Sequence, residues 1–290
     1  MSTARHIARV VQTPAPAPGF IGAGHTAVLV VDPNEFASQD PFILLADDRI
    51  ELPAGATAGE AHPHAGFETV TFVLEGSLRD RVEGSLGSGD VQWMTAGSGV
   101  IHGEDVVPQG KTRILQLWLT LPHADRWSAP RFETVARDDA PARREPGVEV
   151  RVYSGSSGDA RASTQNYVSV TLADISLDAH AALDQDLPAS YNGFVYVLEG
   201  SVRAGDDDTP LVAGQVGWLN RDGGSGASSL RLIAGDAGAR MMLYAGEPTN
   251  VPIVTRGPFV GETRADLARV ARDYYAGRFP RMSELVRTRV

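Results

Sequence analysis

The chain has no cysteine. That excludes disulfides, thiol nucleophiles and thiolate metal sites, and leaves imidazole and carboxylate as the side chains for a transition metal. Histidine is scarce as well, with seven in 290 residues, so where they fall is informative. No long apolar run precedes the prolines of MSTARHIARVVQTPAPAPGF. The expectation is therefore neither a signal peptide nor a membrane span, and a cytoplasmic protein. Basic charge is short: 26 Lys and Arg against 36 Asp and Glu leave a net charge of −10. A direct nucleic-acid binder needs a basic face. The Arg-rich stretch after residue 260 instead alternates with acids, as a solvated helix face does.

What is present fits a globular protein with a sizeable core: 42% hydrophobic and 21% charged residues. At this length two domains are expected. A repeat supports that. GFETVTFVLEGSLR at 66–79 matches GFVYVLEGSVR at 193–203, with Gly76 and Gly200 offset by 124. GSGDVQWMTAGSG at 87–99 matches VAGQVGWLNRDGG at 212–224, with Trp93 and Trp218 offset by 125. Two blocks in order at nearly one offset indicate a duplication with a domain-sized period.

Each copy reads as all-β. Short runs rich in Val, Thr, Phe and Tyr are punctuated by glycine turns, which suggests two barrels or sandwiches in tandem. The charged, proline-containing DDAPARREPG at 138–147 marks the junction. The expected segments are an N-terminal metal-binding domain at 1–137, a second domain at 148–260, and a helical tail at 261–290. In the tail, Leu267, Val270, Ala271, Tyr274 and Tyr275 recur at helical spacing, as in a helix packed on the barrels.

The candidate site lies in AHPHAGFETVTFVLEG, residues 61–76. Residues two apart on an extended segment share a face, so His62 and His64 can aim at one point. Pro63 holds the segment extended. Later, IHGED places His102 and Glu104 at the same spacing. Either pair alone suits surface or hydrogen-bonded histidines. Both pairs in one repeat of a cysteine-free chain point to a metal site of three imidazoles and one carboxylate. In the second copy the offsets land on Asp186, Pro188, Ala227 and Ser229, and no histidine follows His180. The expectation is one metal per chain, in the first copy only.

HPHAGFETVTFVLEG, GDVQWMTAGSGVIHGED, LQLWLTLP and PIVTRGPFVGET resemble the pirin family of the cupin superfamily, over about residues 38 to 280. The resemblance implies two tandem jelly-roll cupin barrels. Its metal, usually taken as iron, would be held by His62, His64, His102 and Glu104. It also implies quercetin 2,3-dioxygenase activity for some members and a transcriptional co-regulator role for eukaryotic ones. Two positions depart from the family pattern: Ala65 stands where Arg is common, and Gly103 where Ser is common. Neither is a ligand, but the loss of the Arg removes a fixed charge and bears on substrate identity.

The mixed nitrogen and oxygen donor set suits Fe(II), Mn(II), Co(II), Ni(II), Cu(II) or Zn(II); affinity alone would favour copper or zinc, and Fe(II) is the metal the resemblance implies. Four ligands on an octahedral ion leave two positions open, and the +1 formal charge favours an enolate or flavonolate. A dioxygenase related to metal-dependent cupin oxygenases would bind a quercetin-like enol beside dioxygen, with Glu104 acting as base as well as ligand. Phe67, Val73, Trp93, Met94 and Leu117 are candidates for an apolar enclosure, although each is more commonly plain barrel core. The alternative is a redox-sensing regulator that binds a protein partner without turnover. A purely structural metal fits less well, because structural sites tend to be closed.

Overall fold

The computed structural model describes all residues except 1–2, 54–55, 59, 81–83, 104–106, 109, 222, 286 and 290. Strands make up most of it, and they fall into two compact units, each built from two stretches of chain.

The first unit comprises residues 14–139 and 249–290. Its main strands are β1 (His25–Val31), β2 (Phe42–Ile50), β3 (His62–His64), β4 (Phe67–Glu75), β5 (Val91–Thr95), β6 (Val100–His102), β7 (Thr112–Thr120) and β8 (Arg131–Val135). One sheet runs β8-β5-β4-β7-β2-β1, with Arg287–Arg289 on the β8 edge, and β3 pairs separately with β6. Runs such as FILLA in β2 and ILQLWL in β7 are apolar on both faces, and both faces of these strands are largely buried.

The second unit comprises residues 1–13 and 140–248. It contains β9 (Val148–Ser154), β10 (Val170–Leu177), β11 (Ala182–Pro188), β12 (Asn192–Ala204), β13 (Gln215–Leu219) and β14 (Ala227–Gly246). The path β9-β10-β14-β12-β13 ends on the strand Ile7–Gln12, and β11 adds to β14.

The units therefore depart at both ends from the expected segments 1–137, 148–260 and 261–290. Ile7–Gln12 pairs with β13, and Arg287–Arg289 pairs with β8. An edge strand needs a partner for its backbone groups, and each chain end supplies one away from its neighbours in sequence. The residues 138–147 are not all linker, because Ala142–Glu145 pairs with β9.

The duplication is visible in the register. In the first unit Val70 of β4 lies between Trp93 and Leu117. In the second, Phe194 of β12 lies between Trp218 and Tyr244.

The predicted helix is α1 (Arg264–Tyr275), opened by a reciprocal cap between Thr263 and Asp266. Leu267 and Val270 are buried in a cluster with Ala65, Phe259 and Phe279, against which Ala271 and Tyr274 pack. Tyr275 departs from the expected stripe and is 85% exposed. Eight residues from Leu267 it has rotated about 80° around the axis, off the buried face. The helix thus packs behind the end of β3. No helix among the described residues is long and apolar enough to cross a membrane.

Candidate metal centre

Strand β3 pairs with β6 so that His62 stands opposite His102 and His64 opposite Val100. The three imidazoles converge. Ring centroids are 4.8 Å apart for His62 and His64, 4.5 Å for His62 and His102, and 4.8 Å for His64 and His102. One nitrogen from each ring lies within 4.8 Å of the others, so the cluster could hold a metal ion. Glu104, the expected fourth ligand, lies outside the described residues.

The ring environments suit ligation. His62 Nδ1 is 2.9 Å from the Glu60 carbonyl. It must donate there, which leaves the lone pair on Nε2. His64 is 5% exposed, and burial, with His102 and His62 beside it, holds its pKa well below the ordinary histidine value. A hydrogen bond to the Pro258 carbonyl acts in the opposite direction. Three imidazoles whose nitrogens converge in this way form a donor set that a divalent cation fits.

Packing fixes the rings. Phe67 and Trp118 meet His64 edge-on at 5.2 and 5.5 Å and lie 4.3 Å from each other. At Gly66, φ is +86° and a Cβ would lie 1.9 Å from the Val260 carbonyl oxygen, so the turn after β3 requires glycine. Arg126, fully buried, holds the same turn by donating to the Gly66 carbonyl at 3.0 Å and to Glu262 at 3.0 Å. Gly103 sits at φ +79°, where a Cβ would come within 3.0 Å of His62 Cε1. Its bareness lets the His62 ring lie close. Ala65 is not in the wall of the cavity that the histidines line; it is buried against α1.

The histidines line a cavity of about 160 Å³. Its wall includes Thr69, Thr71, Gln92, Ile114, Gln116 and Trp118. Here the sequence expectation needs correction. Phe67 touches His64 without lining the wall, and Val73, Trp93, Met94 and Leu117, though buried, are not in the wall either. Side chains alternate along a strand, so Trp93 and Leu117 face away from neighbours Gln92 and Gln116. When both faces are buried, hydrophobicity cannot say which one lines a cavity; threonine and glutamine inside apolar strands were the better signal. Sequence reasoning also missed His25 and Asp48, both in the wall. Two adjacent acids in the apolar run FILLADD could have drawn attention to Asp48.

The family model described as Pirin matches residues 27–119, and that of the pirin C-terminal cupin domain matches residues 172–280. The chain belongs to the pirin family. The "Pirin-like protein 2" of Arabidopsis thaliana is 35% identical over 82% of this chain and 75% of its own length. A "Pirin-like protein" of Caulobacter vibrioides is 34% identical over 89% of this chain and 94% of its own. The crystal structure of a quercetin 2,3-dioxygenase from Acinetobacter baumannii superposes with a TM-score of 0.81 at 27% identity, covering 95% of this chain and 98% of that one. The pirin likeness and the strand-rich structure together give two tandem all-β cupin barrels.

Proposed function

We propose that His62, His64 and His102, with Glu104, hold one divalent metal ion, iron(II) foremost, and that the protein is a dioxygenase acting on a quercetin-like enolic or flavonol substrate. The observation that carries this reading is the convergence of three imidazoles in the wall of one cavity. The likeness to a quercetin 2,3-dioxygenase supports the reaction class. When bound, such an ion supplies Lewis-acid binding of an enol oxygen and a redox partner for dioxygen.

The chain's own residues supply the rest. The Glu60 carbonyl keeps the proton of His62 on Nδ1. Burial keeps His64 neutral and its lone pair available at neutral pH. Phe67 and Trp118 exclude water from one side of the cluster and limit rotation of His64. Glu104 would take the substrate hydroxyl proton as general base.

Oxygen uptake by metal-loaded protein with a flavonol tests the reading. Glu104→Gln should retain part of the metal, while turnover per bound metal falls 10²–10⁴-fold, the range for loss of acid–base catalysis. Unchanged turnover per metal would leave Glu104 a ligand alone. No uptake with Fe(II), Mn(II), Co(II), Ni(II) or Cu(II) would move the assignment to a redox-sensing protein that captures a regulatory partner.

A further inference from the structure

Away from the histidine cluster, the cavity contains a second polar feature. Asp48 on β2 and His25 on β1 both line it, and they face each other with Oδ1 and Nε2 2.7 Å apart. The His25 side chain is fully buried and that of Asp48 only 7% exposed. The backbone N–H of Ile21 donates to His25 Nδ1 at 3.2 Å. The ring proton therefore lies on Nε2 and is donated to Asp48 Oδ1. This satisfies His25 completely. It does not satisfy Asp48: Oδ2 accepts no hydrogen bond from any described residue. Burial pushes the Asp48 carboxyl above the ordinary range, against the opposing effect of His25. The remaining acceptor oxygen therefore belongs to a side chain in the cavity wall, where the hydrogen-bond donor of a ligand can meet it.

The register places this oxygen relative to the histidines. Asp48 stands opposite Ile114, and Leu44 stands opposite Trp118, the residue that meets His64. Four residues of strand separate the two positions, about 13 Å at 3.3 Å per residue. Between them the wall carries Thr71, Gln92 and Gln116, and Thr71 Oγ1 already donates to Gln116 Oε1 at 2.9 Å. Around Asp48 the wall is Ile21, Ile50, Leu78, Leu86 and Ile114. In that apolar surround a single acceptor discriminates strongly between a ligand that donates a hydrogen bond and one that does not.

We propose that Asp48, oriented by His25, accepts a hydrogen bond from a hydroxyl at the far end of the substrate, so that the cavity selects a planar ring compound hydroxylated at both ends. This rests on the flavonol reading and narrows it: one oxygen faces the histidines, and a remote phenolic hydroxyl faces Asp48. The group acts in binding and specificity.

The test is a binding titration of the metal-loaded protein with 3-hydroxyflavone and with its 7-hydroxy, 4′-hydroxy and corresponding methoxy analogues. At least one hydroxylated isomer should bind about 10- to 100-fold tighter than 3-hydroxyflavone, the range for a hydrogen bond to a charged group. Its methyl ether, which cannot donate, should lose that gain. Asp48→Asn presents an amide donor instead of an acceptor. It should abolish the preference for hydroxyl and favour the methoxy ligand relative to the wild-type protein, with metal content unchanged. His25→Gln, which keeps a donor for Asp48, should retain part of the preference. Binding of the series without discrimination by the wild-type protein overturns this inference alone, with no variant needed. So does a preference that survives intact in Asp48→Asn. Binding of none of the series overturns it together with the flavonol reading. Discrimination without oxygen uptake would sink the dioxygenase and leave the Asp48 assignment standing.

Discussion

The two barrels share a strand ladder and fill it in opposite ways. In the first unit, Thr71 of β4 lies between Gln92 and Gln116, and Thr69 lies beside Trp118. The matching ladder of the second unit places Val195 between Gly217 and Leu243, and Gly193 beside Ala245. Val195, Leu243 and Ala245 belong to one continuous aliphatic core. A Cβ at Gly217 would lie 2.6 Å from Leu211 and 3.2 Å from Ile7, so neighbours already occupy the space that a Gln92-like side chain would need. One barrel keeps a cavity edged with hydrogen-bonding groups, and the other closes it with methyl groups. The contrast concerns more than ligands: where the first barrel lines its cavity with Thr71, Gln92 and Gln116, the second packs Val195, Gly217 and Leu243.

The ligand strand shows the same contrast. The sequence offset put Asp186 and Pro188 opposite the first histidine pair. The strand it reaches, β11, buries Leu183, Gln185 and Leu187 and exposes Asp186 and Pro188. The inward positions are thus one residue away from those the offset gives. Gln185 stands opposite Leu230 and Leu187 opposite Ser228. No imidazole faces inward in either register.

The largest effect that could break this contrast is loss of the metal. His64→Ala should remove metal content and oxygen uptake together while leaving the β-rich circular dichroism nearly intact. Full occupancy by elemental analysis would mean that the histidine cluster is not the site, and two tightly held equivalents would mean that the second barrel is not empty of ligands. Next comes stability. Leu243→Ala removes packed core and should cost about 2–5 kcal/mol in denaturant unfolding, whereas Gln116→Ala at the matching position should cost far less because it borders a cavity. Equal costs would show the two interiors to be packed alike. Gly103→Val should weaken metal binding about 10- to 100-fold, the range for disturbing a ligand's support, since its Cβ would press on His62 and a branched side chain opposes the positive φ. Unaltered affinity would show that the ring can give way.

The smallest effect is in pH. His64 is depressed in the folded state, so below the ordinary histidine pKa the unfolded chain binds a proton that the native apo-protein refuses. Apo-protein stability should therefore be full above about pH 6.5 and fall as pH drops below it, by at most about 1.4 kcal/mol per pH unit. Thermal unfolding of metal-free protein from pH 7 to 5, with His64→Leu as control, measures it. A slope that persists in the variant would assign the titration elsewhere.

The amino-acid order by itself carried the duplication, the all-β character, α1 and the His62, His64 and His102 cluster. Each rests on a local period or a short spacing: alternation along a strand, a turn of helix, two residues between ligands. A local rule holds wherever the backbone adopts the matching conformation, which is why Gly76 and Gly200, or Trp93 and Trp218, could be aligned without a structure. Only the tertiary structure decided which end of the chain completes which barrel, which face of β4, β5 and β7 lines the cavity, and that Asp48 meets His25 inside it. Those outcomes depend on pairings between distant residues. Apolar strands buried on both faces carry no mark of which side meets a cavity, and an acid beside another acid in sequence gives no sign that one is paired with Arg113 while the other turns inward to an imidazole on the next strand.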